Sequence, residues 1–472
     1  MSSKFLFLES MEILSTIPQY YTLLEVFAIL LFLWFIVKKV YRRENVTLTE
    51  DELEKKLSEW KPEPLTPEID PNHPSLHPLK VSTKVGKRIL VDNKDCLNLG
   101  THNYLGLTEN KEINEIATET IKKYGVGSCG PRGFYGTVDV HLELEERLAK
   151  FTDTEEAIVY SYGFSTIATA IPGYCKKNDL VFVDEKINFA IQKGLDASRS
   201  TIKYFKHNDV QHLHDLLLEQ EQKDKKNPKA SKIKRFLIIE GIYLYTGQIC
   251  PLPELITLCK KYKLRIFIDE SISIGTLGAH GKGITEHFDV PKHEIDLIMG
   301  SLETAIGSIG GFCVGTTFIV EHQRLGALGY CFSASLPPLL TTAAITAINI
   351  MENNPHIFKS LKDKCITIDN ALKEVPYIET PSFAESPLKH LYLKEKKNYS
   401  EEIKILTSIS KRCIENNLAI ISPTYLETEK HLPRPSLRLC VSVLLTESDI
   451  NFAISTLKKL RNSLWPCLTR LC

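Results

Sequence analysis

Four stretches of this chain end an apolar run on residues suited to chemistry. RIFIDES stops at Asp269, and the loop after it sets Gly275, Gly278, Gly281 and Gly283 where backbone can come close to a ligand. LIMGSLETAIGSIGG delivers Glu303 and Thr304, followed by Gly307, Gly310 and Gly311. YSYGFSTIATA opens a helix with Gly163, Phe164 and Ser165, whose free amides and dipole favour a phosphate. RFLIIEGIYLYTG brings Glu240 and Tyr243 to the same edge. Taken singly, each has a plain structural alternative, since a glycine can serve only a turn and a strand-end aspartate only a helix cap.

The elements that must position these residues are short apolar or β-branched runs: AIVYSYG, LVFVDE, TIKYF, RFLIIEGIY, LRIFIDES, LIMGS and GGFCVGT. They alternate with helical patterns at βα spacing, so they predict a mostly parallel sheet covered on both faces, with ligands at the strands' carboxyl ends. After Pro337 and Pro338 the chain turns to a long Ala/Thr/Ile helix and then to mixed helices and strands such as LRLCVSV, a second, smaller α+β domain. The expected domains are 95–339 and 340–472. Ahead of them, 38–94 reads as a capped amphipathic helix over 48–60 and an arm with prolines at 62, 64, 67, 71, 74 and 78. The basic stretch 223–235 reads as a solvated loop.

Over 472 residues, 43% are apolar and 25% charged, which excludes a disordered chain. With 58 basic and 58 acidic side chains there is no net field to hold nucleic acid. The 12 cysteines show no CxxC pair and read as reduced thiols, with no metal site expected. Residues 17–37, IPQYYTLLEVFAILLFLWFIV, would extend about 31 Å as a helix, so a single uncleaved transmembrane helix is expected there. Glu25 lies inside it and would need protonation, a partner helix or the interface. Lys38, Lys39, Arg42 and Arg43 follow at once, which places 1–16 in the lumen and the body in the cytosol.

In order, NYLGL (103–107), YGVGSCGPRGFYGT with HLELEERLAKF (124–151), YSYGFSTIATA, IDESISIGTLGAHGKG, GSLETAIGSIGG and FSASLPP (332–338) resemble the α-oxoamine synthases. These are pyridoxal phosphate (PLP) enzymes of the aspartate-aminotransferase fold, type I, with a seven-stranded sheet. The likeness spans most of residues 95–450 and, within the family, points to a subunit of long-chain-base synthesis. It implies decarboxylative condensation of L-serine with palmitoyl-CoA to 3-ketosphinganine, the first step of sphingolipid biosynthesis, at the endoplasmic reticulum membrane.

The departures from that pattern are as informative. The Schiff-base lysine position aligns with Thr304, and PLP chemistry needs that amine. Asp269 is kept, but the histidine of the family's Asp-x-x-His is Ile272 and the ring-stacking histidine is Phe189. The family's Arg-x-Arg and His-Thr align with Ser436, Arg438, Leu445 and Thr446. The resemblance therefore implies an inactive pocket formed by Asp269, Ile272, Phe189, Thr304, Gly163 and Phe164, with no catalytic residue and with PLP bound by a catalytic partner subunit in a heterodimer. Ser333 is the hydroxyl expected to reach the partner's PLP phosphate, and Ser335 is the runner-up. Cys129, Arg132 and Tyr135 belong to a glycine-rich interface, with Arg132 either meeting an acyl-CoA phosphate or pairing with a carboxylate. Cys129 reads as a packed thiol, His141 as structural, and Lys282 as belonging to another loop. Small regulatory membrane proteins are further possible partners. The competing readings are a homodimeric synthase with an unrecognised base and a membrane scaffold.

Overall fold

All seven apolar runs become strands of one sheet in the computed structural model, which describes residues 19–41, 49–66, 68, 71, 73, 76–426 and 428–469. Side chains are described for these except 19, 20, 22, 39–41 and 461–469. The expected lumenal segment 1–16 lies outside the described residues. The chain divides into two units, Met1–His73 and Pro74–Cys472.

In the first unit a 23-residue helix, Gln19–Tyr41, leaves Leu23, Phe27, Leu30, Trp34 and Phe35 exposed. Among the described residues, however, no helix is long and apolar enough to cross a membrane. The expected span over 17–37 is corrected accordingly. Residues 17 and 18 of that expected span lie outside the described residues. The next helix, Glu50–Glu59, starts where expected on a capping box. The Thr49 hydroxyl accepts from the Glu52 amide, and the Glu52 carboxylate accepts from that of Thr49. It buries no residue, so caps and charge alone set its limits.

The second unit opens with a hairpin, β1 (Arg88–Val91) and β2 (Lys94–Asn98), which straddles the boundary expected at 94/95 between the arm and the large domain. Asp92 and Asn93 both take positive φ, the geometry of a two-residue hairpin turn. The large sheet contains β3 (Glu156–Tyr160), β4 (Leu180–Asp184), β5 (Thr201–Phe205), β6 (Arg235–Glu240), β7 (Arg265–Asp269), β8 (Leu297–Ser301) and β9 (Gly311–Gly315), in the order β3-β9-β8-β7-β6-β4-β5. Only β9 runs against the rest. The central strands are buried along nearly their whole length, as β4 shows at all five positions, because helices cover both faces. Each fully buried aliphatic side chain there contributes roughly 1.5–3 kcal/mol.

Beyond it come β10 (Ile378–Glu379), β11 (Leu388–Leu393), β12 (Leu418–Ala419) and β13 (Leu437–Cys440). β10, β11 and β13 form a small antiparallel sheet, while β12 pairs in parallel with β2 and so joins residues 418–419 to 97–98 within the second unit. The long helix after the proline pair, Pro338–Asn353, packs on Lys111–Tyr124 and Asp139–Thr152 rather than on the smaller sheet. Its run of buried Ala343, Ala344 and Ala347 allows that close approach.

Candidate functional site

Strand register sets two carboxyls side by side at the carboxyl edge of the sheet, because Glu240 on β6 and Asp269 on β7 are Cα partners. Both are almost completely buried, and Asn188 binds them together. Its backbone N–H donates to Glu240 Oε1 (2.6 Å) and its Nδ2 to Asp269 Oδ2 (2.7 Å). The amides of Leu244 and Ser271 donate to the remaining oxygens at 2.8 and 2.9 Å. Burial raises the pKa of both acids, and the charge of Asp269 pushes Glu240 further up. Asp269 is thus a hydrogen-bonded strand-end carboxylate.

These acids form the floor of a cavity of about 280 Å³, whose lining includes all six residues expected in the pocket: Asp269, Ile272, Phe189, Thr304, Gly163 and Phe164. The rings of Phe164 and Phe189 lie 6.2 Å apart across it. Among the described residues, no lysine or arginine lines it. The Thr304 hydroxyl donates to the Ser271 carbonyl (2.5 Å), which ties the loop after β8 to that after β7. Ile272 is buried and apolar where a histidine would face a ring hydroxyl. Lys282 turns away and pairs with Asp153. The amide of Gly163, which opens helix Gly163–Tyr174, donates to Glu303 Oε1 at 3.1 Å. The residues present therefore do not fit PLP: they offer no amine for its aldehyde, Ile272 and Phe189 where the family sets histidines against its ring, and a carboxylate at the amide its phosphate would need.

The remaining expectations sort by geometry. Gly275 does not line the cavity; a Cβ there would lie 2.4 Å from that of Ala305, so its positive φ serves loop packing. Tyr243 is fully buried against His207, and Tyr245 lines the cavity instead. Ser436 sits beside His390, with Oγ 2.8 Å from Nδ1. Arg438 reaches the Gly100 carbonyl through Nη2 (3.4 Å), while its buried Nε has no partner. Leu445 is buried, and Thr446 pairs with Asp449. The ten described cysteines are all free thiols.

On the neighbouring surface, segments 128–136, 161–165 and 328–335 interlock. The Gly130 carbonyl accepts from both the amide (2.9 Å) and the hydroxyl (3.0 Å) of Ser335, and the Ser161 hydroxyl donates to the Ala334 carbonyl. This removes Ser335 as a free donor, since it is buried and its hydroxyl is engaged within the chain. Ser333 is half-buried and makes no hydrogen bond within the chain. Arg132 is corrected as an outward ligand: it is buried and forked onto Glu145, with Nη1 and Nη2 donating to its two oxygens at 2.9 and 3.0 Å. Cys129 is exposed rather than packed; it and the fully exposed Tyr135 take positive φ, 56° and 64°, in a strained turn that points outward. Phe134, Tyr162, Phe164, Leu328 and Phe332 widen this apolar face. His141 is structural, since Nδ1 accepts from the Val138 amide (3.1 Å) and Nε2 lies 2.6 Å from the Leu336 carbonyl.

Sequence reasoning missed Asn188 and His102. The signal for Asn188 was a polar residue just before a helix, and it does cap Phe189–Ser198 by accepting from the Ile191 amide (3.1 Å). His102 lines the cavity with Nδ1 2.6 Å from Tyr104 OH, and burial with nearby Arg438 lowers its pKa to about 3, so it is neutral.

The family described as aminotransferase class I and II matches residues 94–457, and that stretch contains the whole site. The chain belongs to that family. Within it, long chain base biosynthesis protein 1b of Oryza sativa subsp. japonica is 40% identical over 433 residues, covering 91% of this chain and 89% of that protein. Serine palmitoyltransferase 1 of Dictyostelium discoideum is 39% identical over 437 residues, covering 90% and 91%. A solved SPT with PLP shares the aminotransferase fold at TM-score 0.72 and 24% identity, over 82% of this chain and 93% of that one. This member of the aminotransferase family thus groups with the long-chain-base 1 and serine palmitoyltransferase 1 proteins. It keeps the family's fold while its pocket lacks a lysine.

Proposed function

We propose that the chain is a non-catalytic but required subunit of serine palmitoyltransferase, the transferase that condenses L-serine with palmitoyl-CoA to 3-ketosphinganine. One observation carries this reading: Thr304 stands at the lysine position, bonded to a carbonyl, in a cavity lined by no lysine. A hydroxyl cannot form an imine with an aldehyde. The chemistry therefore belongs to a second, catalytic subunit that carries the PLP lysine. The chain's contribution is the opposing wall of a shared site. Support comes from the outward face of Tyr135, Phe134 and Phe332, with Ser333 as an uncommitted hydroxyl beside it. Phosphate oxygens accept hydrogen bonds from such donors.

The substrate acyl chain and the product are lipidic, so a site beside a bilayer is advantageous. The exposed apolar side chains of helix Gln19–Tyr41 support association with the endoplasmic reticulum membrane, with the body on the cytosolic side, and offer a surface to small regulatory membrane proteins.

Purifying the chain alone and with a lysine-bearing partner tests this. Imine absorbance and serine-dependent ketone formation are expected only for the pair; either one from the chain alone overturns the proposal.

A further inference from the structure

We infer that Glu303 is a built-in anion: its carboxylate occupies the helix-terminal position that a cofactor phosphate would take, and so makes this chain's own pocket reject phosphate esters even as non-covalent ligands. The inference rests on the non-catalytic role proposed above and extends it from the missing tether to the missing grip.

The first helical residue, Gly163, has the amide that would meet a phosphate, and that amide already donates to Glu303 Oε1 at 3.1 Å. The Glu303 N–H donates to Ser301 Oγ at 3.0 Å, which sets the loop from which its exposed side chain reaches back to Gly163. A positive helix end attracts whichever anion is nearest, and a tethered carboxylate has the advantage of high effective concentration. The rest of the lining strengthens the rejection. Asp269 and Glu240 form the floor, no lysine or arginine offsets them, and the walls are Phe164, Ile167, Phe189, Ile242, Leu244 and Ile272. The one histidine on the lining, His102, is uncharged at neutral pH. A phosphate dianion brought into this cavity would face Asp269 and Glu303 and would have to displace Glu303 from its hydrogen bond.

The test measures equilibrium binding of inorganic phosphate, pyridoxal 5′-phosphate and phosphate-free pyridoxal to the full-length chain, as wild type, Glu303→Ala and Glu303→Gln. Wild type is expected to bind neither phosphate-bearing probe. Glu303→Ala should bind both at least about tenfold more tightly, with pyridoxal unchanged. Glu303→Gln removes the charge while keeping size and an acceptor oxygen, so it should show a smaller gain in the same direction; it also decides the matter if the alanine variant does not fold. Equal phosphate affinity in wild type and both variants overturns the inference, as does tight binding of phosphate by the wild type. Ketone formation is assayed in parallel. Product from the wild-type chain alone overturns the non-catalytic role, whereas phosphate binding without product overturns only the part assigned to Glu303.

Discussion

Ser333 and Ser335 differ by two positions in sequence and completely in circumstance. Ser335 spends its hydroxyl on the Gly130 carbonyl, whereas Ser333 is uncommitted. Ser333→Phe is expected to reduce turnover of the two-subunit complex, or change its choice of amino acid, without lowering the chain's thermal midpoint; unchanged turnover and PLP affinity would favour a scaffold. Ser335→Ala should instead cost about 1 kcal/mol of stability by leaving a buried acceptor with one donor fewer. The pair Arg132 and Glu145 sharpens the same contrast. Glu145 also accepts from the Val159 amide (3.0 Å) and pairs with Arg324 (3.6 Å), so Arg132→Ala removes the forked partner of a buried carboxylate but leaves it a second cation. A loss of about 1–3 kcal/mol is expected in denaturant titrations, rising when Arg324→Ala is added. Strictly additive losses for the two variants would show that the two arginines do not share Glu145.

At the scale of elements, strands and helix starts decide which protons are held. His390 on β11 is clamped between Ser436 Oγ and the Leu244 carbonyl, at 2.8 and 2.9 Å, and burial lowers its pKa to about 4 from an ordinary 6.5. The folded state thus takes up this proton less readily than the unfolded one, and His390 contributes stability above pH 6.5 that is lost as pH falls towards 4. The size of the effect is about 3 kcal/mol. Glu240 slopes the other way: burial raises its pKa, so its contribution is present at low pH and fades as pH rises. The readout is therefore the difference between wild type and His390→Gln, whose stability should fall less steeply between pH 6.5 and 4; parallel curves would refute the assignment. Asn188→Ala removes both the cap of helix Phe189–Ser198 and the donor to Asp269, and about 2 kcal/mol of destabilisation is expected on unfolding.

For the whole molecule, the first unit and the body have separate predicted fates. Removing residues 1–73 should leave the body folded by circular dichroism but shift it from the membrane pellet to the supernatant; retention in the pellet would move the attachment elsewhere. The sequence by itself determined the seven strands, because continuous apolar runs between helical stretches have few other ways to bury themselves. It also determined the missing amine, because a residue type is a chemical fact before any folding. What it left open needed distances across the fold. Arg132 had equal claims to a phosphate and a carboxylate until Glu145, on the next helix, closed one of them. Asn188 became the clasp of the acid pair only because β6 and β7 align Glu240 with Asp269. Glu303 meets Gly163 across 140 residues of chain, and no local pattern encodes that meeting. Composition and periodicity specify which surfaces must be covered; strand order and loop closure alone specify which polar groups then find each other.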